Sequence, residues 1–216
     1  MASLTRERLS EAASKSFIQK HSVDEELEDQ WMILYTKVYT RELVFAVDVT
    51  NFVMKENHLH FQNFIFPNCL GVRCASDFGL MIETFVAMTL QKHATVIQEM
   101  LERNVDLMLK PSYADFKAYV NSLAVSTESS VYFKEYGFLV FSVVIAHMCS
   151  LAFLYGMSKA PEFGIMTLCR LHSHFRMRGL LAQDTWAKLQ EAAQHGILMQ
   201  TLDSIKLDSL NVANNC

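Results

Sequence analysis

The feature that most constrains this chain is a stretch of 23 residues, 136–158, that contains no Asp, Glu, Lys or Arg. As a helix it would be about 35 Å long at 1.5 Å per residue. That length is enough to cross the hydrocarbon core of a bilayer, which is roughly 30 Å thick. The alternative is a helix that is apolar on all sides because other helices of the same chain surround it.

Three observations favour the buried helix over the membrane span. His147 lies near the midpoint of the stretch, and no cluster of basic residues flanks either end, as the positive-inside rule would require. Amphipathic patterns elsewhere need an apolar surface to cover; one of them places its apolar residues at i, i+3, i+4 and i+7: Phe116, Tyr119, Val120 and Leu123. We therefore predict a core helix. A permanent span, or a soluble protein that inserts when triggered, is the alternative.

Composition excludes several classes of protein. With 51% apolar residues, 19% charged residues, 7 Gly and 3 Pro, the chain resembles neither a disordered protein nor an all-β domain rich in turns. A net charge of −4 gives no electrostatic reason to expect nucleic acid as a partner. Five cysteines without a C-x-x-C pair predict a reducing compartment. The first residues show no apolar signal-peptide core.

Apolar periodicity divides the chain into three parts. Residues 1–30 are predicted to be a polar helical extension, residues 31–196 a helical domain and residues 197–216 a C-terminal tail. Within the domain, apolar residues at helical spacing predict helices around the central one. These predicted helices cover about 31–55, 72–92, 93–108, 112–125, 161–179 and 184–195, the last ending at Gly196.

Catalytic and metal-binding motifs are not found in the sequence. His58 and His60, like His172 and His174, are two residues apart, a spacing that points the imidazoles to opposite sides of a helix, whereas ligand pairs on helices prefer i, i+4. No Ser sits in a strand–turn–helix nucleophile elbow, and no Gly-rich phosphate loop occurs. We predict that the protein is not an enzyme and uses no metal or cofactor.

Four stretches, in this order along the chain, are similar to the motifs of the Bcl-2 family of apoptosis regulators. Residues 40–55 contain Arg-Glu-Leu-Val before an apolar stripe, as in the first helix of the family. Residues 72–77, Val-Arg-Cys-Ala-Ser-Asp, resemble the death motif. Residues 135–138, Glu-Tyr-Gly-Phe, stand where the family has Asn-Trp-Gly-Arg, and residues 183–186, Gln-Asp-Thr-Trp, resemble the second homology motif.

The resemblance implies an all-α fold, a Bcl-2-like bundle of about eight helices around a central helix at 136–155. It also implies a hydrophobic groove that binds the amphipathic death-motif helix of a partner. The implied groove lining is Phe85, Leu90, Phe116, Val120, Leu123, Glu128, Glu135, Tyr136, Gly137, Phe138, Leu139 and Phe141. The death-motif-like helix of this chain would present Val72, Ala75, Ser76 and Asp77, and the second-motif tryptophan would be Trp186.

The chain departs from the family pattern at three places. Phe138 replaces the arginine that pairs with the partner's aspartate, so this charge-assisted bond cannot form. The two glycines before Trp186 are missing. The usual C-terminal membrane anchor is missing too, since Asp203, Lys206 and Asp208 interrupt any span there.

The function implied by the resemblance is regulation of apoptosis by binding death-motif helices. Such a regulator would be cytoplasmic, would associate with the mitochondrial outer membrane and would form homo- or hetero-dimers with related proteins. Two alternatives stay open: a membrane-inserting, pore-forming helical protein that promotes death, and a helical scaffold unrelated to apoptosis. The sequence does not distinguish protection from killing.

Overall fold

The computed structural model describes residues 40–61, 77–103, 113–128 and 134–214. The chain divides into two compact units, 1–40 and 41–216, and the contacts below all lie within the second. The described part is all-helical, as predicted, and contains no strand. Its helices are α1 (Arg41–Glu56), α2 (Leu80–Glu102), α3 (Tyr113–Glu128), α4 (Glu135–Leu154), α5 (Ala160–Met177) and α6 (Thr185–Asn214).

Helix α4, which after Glu135 contains no charged residue, lies at the centre of these elements, with α1, α2, α5 and α6 packed against it. Its buried residues are Phe138, Leu139, Phe141, Ser142, Val143, Ile145, Ala146, His147, Met148, Cys149, Ser150, Leu151 and Ala152. They point in all directions around the helix axis, because an α-helix turns 100° per residue. Among the described residues, α4 is also the one helix long and apolar enough to cross a membrane.

Aromatic rings join α4 to the helices around it. The ring of Phe138 lies 6.1 Å from that of Phe45 on α1 and 6.4 Å from that of Phe175 on α5. Phe45 in turn lies 5.6 Å from Trp186 on α6. Such ring pairs contribute about 0.5–1.5 kcal/mol each beyond the area that they bury, so this cluster fixes the N-terminal end of α4.

Helices α4 and α5 form a hairpin whose turn and contact both depend on glycine. Gly156 adopts φ +93° after the end of α4, a left-handed conformation that glycine adopts without strain. Pro161 then occupies the first turn of α5, where its missing N–H costs nothing. At Gly164 the helices approach so closely that an added Cβ would lie 2.7 Å from the Cys149 sulfur. Burial raises the pKa of the Cys149 thiol.

Several predicted helix boundaries were wrong. The two helices predicted at 72–92 and 93–108 are one helix, α2, up to Glu102; it begins only at Leu80, and residues 72–76 lie outside the described part. The helix predicted to end at Gly196 continues as α6 to Asn214. Tertiary contact overrides the weak helix propensity of glycine there. Residues 31–39 of the first predicted helix are also outside the described part.

Replacing Gly164 by alanine should destabilise the protein. The new methyl group would collide with Cys149, and overpacking costs about 1–3 kcal/mol, partly offset by the roughly 1 kcal/mol that alanine gains over glycine in a helix. We expect the free energy of unfolding in urea to fall by about 1 kcal/mol or more. The double variant Gly164→Ala/Cys149→Ala should lose less than the sum of the single variants. Additive losses would contradict the close contact.

Candidate functional site

The N-terminal half of α2 and the first turn of α4 meet at Phe85 and Tyr136, two residues of the predicted groove. Their rings make an edge contact at 5.7 Å. Phe85 is fully buried, whereas Tyr136 is 44% exposed. Gly196 of α6 lies directly over both rings, because an added Cβ would be 2.5 Å from Phe85 Cε2 and 2.8 Å from Tyr136 Cε2. Helix α6 therefore covers the junction at which the predicted groove walls meet.

Two polar contacts hold α6 to α2 beyond this junction. Gln200 Nε2 donates to Thr89 Oγ1 at 3.3 Å, and both residues are buried. Lys92 Nζ lies 3.5 Å from Asp203 Oδ2, with both side chains about half exposed. An exposed ion pair contributes little to stability. The contact at Gly196 and this buried hydrogen bond therefore both contribute to the attachment of α6 at this point.

The predicted groove residues on α3 pack in a different place. Helix α3 lies against α5, and the ring of Phe116 contacts that of Phe163 at 6.1 Å. Val120 is fully buried and Leu123 half-buried. Helix α3 approaches the end of α2 through the Tyr119 hydroxyl, which donates to a backbone carbonyl there at 3.4 Å. The Glu128 side chain lies outside the described part.

The remaining predicted lining residues lie on the first turns of α4 and on α2. Leu90, Leu139 and Phe141 are buried in the core, and Gly137 is half-buried. Glu135 Oε1 accepts a hydrogen bond from the Ala182 backbone N–H at 2.8 Å. Most of the predicted lining is thus enclosed by the chain itself. An i, i+3, i+4 apolar stripe marks a buried face without telling which helix covers it.

Phe138, which the motif resemblance predicts to stand in place of the family's arginine, lies in the core with no exposed surface. Besides Phe45 and Phe175, its ring contacts the His172 ring edge-on at 5.4 Å. The expectation that this position faces a partner does not match its surroundings in this structure. A phenylalanine so placed contributes to the joining of α1, α4 and α5.

Asp77, the described residue of the death-motif-like stretch, is bound within the chain. Arg41 Nε and Nη2 donate to its two carboxylate oxygens at 2.8 and 2.5 Å. Gln190 Nε2 donates to the Asp77 backbone carbonyl at 2.6 Å. The hydrogen bond to Asp77 raises the pKa of Arg41. Because such two-point pairs are directional, Asp77 connects α1 to α6; Val72, Ala75 and Ser76 lie outside the described part.

Trp186 closes a buried cluster that contains a histidine. Its indole stacks on the His172 ring at 4.7 Å, and the Arg41 guanidinium lies 5.2 Å from the centre of the indole. Within the described part, neither ring nitrogen of His172 has a hydrogen-bond partner. Its Nδ1 is 3.8 Å from Glu42 Oε1, which also lies 3.3 Å from Arg176 Nη1. Burial, opposed by Glu42 and assisted by Arg176, lowers the pKa of His172 to about 4.

A cleft of about 660 Å³ lies between the C-terminal end of α1 and one face of α2, with a residue of α4 at its base. Sequence reasoning missed this surface, which shares only Leu90 with the predicted groove. It is lined by Phe52, Glu56, Asn57, Leu80, Glu83, Thr84, Ala87, Met88, Leu90, Gln91, Ala94 and His147. One sequence pattern could have indicated the cleft: small and polar residues recur every three or four positions along one face of α2.

The described residues do not provide the ligand sets that metal ions require. Among the described residues, no three His, Cys, Asp or Glu side chains come close enough together to hold a metal ion. Structural zinc sites need four such ligands, and catalytic zinc sites need three.

The buried His172 should make the protein less stable in mild acid. Its pKa is 6.5 when unfolded and about 4 when folded, so above pH 6.5 the ring is neutral in both states. As the pH falls from 6.5 towards 4, only the unfolded chain takes up the proton. The free energy of unfolding should then fall by about 3 kcal/mol.

The variant His172→Phe should retain the aromatic contacts and lose most of this pH dependence, as measured by urea unfolding between pH 7 and 4. A residual slope is expected from His147, whose pKa burial also lowers. The exposed His195 provides the matched control, and His195→Phe should keep the full slope. An unchanged slope in His172→Phe would contradict the assignment.

No protein-family model and no curated protein matches this chain, and no solved structure matches its fold. The resemblance to the Bcl-2 family is therefore a prediction from four short sequence motifs. The geometry described above is the basis for any statement about function.

Proposed function

We propose that this protein is a non-enzymatic, Bcl-2-like regulator of cell death that binds an amphipathic helix of a partner protein. The observation that carries the proposal is the enclosure of the apolar helix α4 by α1, α2, α5 and α6. A helix of this length and composition at the centre of a bundle is the arrangement that the motif resemblance implies. The bundle of about eight helices is part of the proposal.

Contacts between described residues of the four motif stretches support this assignment. Arg41, from the first stretch, binds Asp77 of the death-motif-like stretch and lies over the Trp186 ring of the second-motif stretch. Trp186 contacts Phe45, and Phe45 contacts Phe138 of the remaining stretch. Chance similarity of four short segments gives no reason for them to share one cluster.

The proposed partner site is the junction of α2 with the first turn of α4, where Tyr136 and Gly137 are partly exposed. A partner helix could insert there once α6 moves away from Phe85. Without an arginine at position 138, the affinity would come mainly from apolar anchors of the partner. An amphipathic helix presents such anchors at i, i+3/i+4 and i+7.

Titration with death-motif peptides tests the proposal. We expect the wild-type protein to bind at least one peptide of a labelled panel, as measured by fluorescence anisotropy. Gly137→Arg should weaken that binding about tenfold or more, which corresponds to about 1.4 kcal/mol, because its side chain would fill the junction. The control Met177→Arg changes an 81% exposed residue of α5 and should bind like the wild type. If no peptide binds, or if both variants bind equally, the groove proposal is wrong.

A second candidate function is membrane permeabilisation, which the length and composition of α4 favour. In that case α4 would leave the bundle and enter the lipid, and the protein should release dye from vesicles that contain anionic lipids. On the binding proposal the protein should be recovered without detergent and leave the vesicles intact at pH 7. Dye release at pH 7 would favour the second function.

A further inference from the structure

The cleft between α1 and α2 has the shape of a docking site for a helix. One stripe of α2 forms its long wall: Leu80, Thr84, Ala87, Gln91 and Ala94. At 1.5 Å per residue this stripe is about 21 Å long, which matches roughly four helical turns of a partner. The last turn of α1 forms the opposite wall through Phe52 and Glu56.

The side chains of the cleft allow the apolar face of another helix to approach α2 closely. Thr84, Ala87 and Ala94 are small, so the backbone of a docked helix can come near to α2. Met88 has a flexible side chain that adapts to different partners. Leu80 at one end is 78% exposed, a large apolar side chain that the described part of the chain leaves in water.

Hydrogen bonds hold the base of the cleft in a fixed arrangement. Asn57 Nδ2, at the end of α1, lies 3.2 Å from His147 Nδ1 and donates to Ser150 Oγ at 3.0 Å. Burial lowers the pKa of His147 and the backbone of Ala94 raises it in part, which places the ring beside α2 as well. The base therefore connects α1, α2 and α4, and binding does not have to assemble it.

The charge of the cleft selects the partner. Among the described residues, its lining includes two carboxylates, Glu56 and Glu83, and no lysine or arginine. The histidine at the base adds no positive charge at neutral pH, because burial lowers the pKa of His147. Cationic side chains are therefore attracted to this cleft and acidic ones repelled.

We propose that this cleft binds an amphipathic helix of a partner protein that carries lysine or arginine beside its apolar face. The cleft lies apart from the junction of α2, α4 and α6 and does not depend on the function proposed above. Its acidic lining also distinguishes its ligand from a death-motif helix, whose characteristic charge is an aspartate.

The test uses two labelled 18-residue helical peptides with the same Leu/Ala face, one with lysine and one with glutamate on the other face. We expect the full-length protein to bind the lysine peptide at low salt, more weakly as salt screens the charges, and not to bind the glutamate peptide. The variant Glu56→Lys/Glu83→Lys should bind the lysine peptide at least tenfold more weakly.

A matched control has the same change in charge outside the cleft. Glu99 and Glu191 are exposed carboxylates in surface ion pairs, and Glu99→Lys/Glu191→Lys should lose less than twofold. A steric variant, Ala87→Trp, should abolish binding of the lysine peptide while its circular dichroism and unfolding curve stay those of the wild type.

Several outcomes would overturn the proposal. Equal weakening in the two double-lysine variants would mean unspecific attraction to an acidic protein. Equal binding of both peptides, or no binding at all, would exclude a cationic helix. If Ala87→Trp lowers the unfolding midpoint and the wild type binds no peptide, the chain fills its own cleft. If the wild type is a dimer and Glu56→Lys/Glu83→Lys is a monomer, the cleft binds a second copy of this chain. Failure of the death-motif peptides bears only on the other site.

Discussion

The structure depends on covering α4. One neighbouring helix cannot bury a helix that is apolar on all sides, because the sides facing away from it would stay exposed to water. Burying a Leu, Ile, Val or Phe side chain contributes about 1.5–3 kcal/mol, and the buried residues of α4 face α1, α2, α5 and α6 alike. Helices α1, α2, α5 and α6 take their positions from this requirement, whereas α3 packs on α5.

The central helix and the all-α class could be predicted from the sequence because both depend on local signals. The absence of charge over 136–158 located α4 to within one residue of its actual start at Glu135. Pro161 and Gly156, which shape the α4–α5 turn, are equally local. A run of residue types along the chain is sufficient to define such features.

The continuity of α2 and α6 and the position of the groove residues depend on long-range contacts. Gly196 suggested a helix end, but its lack of a side chain instead allows α6 to lie over Phe85 and Tyr136. The apolar pattern of Phe85 and Phe116 is the same for a core face and for a groove wall, so burial alone separates them. The cleft between α1 and α2 has no strongly apolar pattern and became visible only when the two helices were placed side by side.

The position of Phe138 has a consequence for attempts to make this chain more like the family that it resembles. An arginine introduced there would place a guanidinium among the rings of Phe45, Phe175 and His172, where water cannot solvate it. Desolvating an ion costs several kcal/mol unless a well-placed counter-ion compensates. Position 138 therefore cannot hold an arginine while the rings around it keep their present packing.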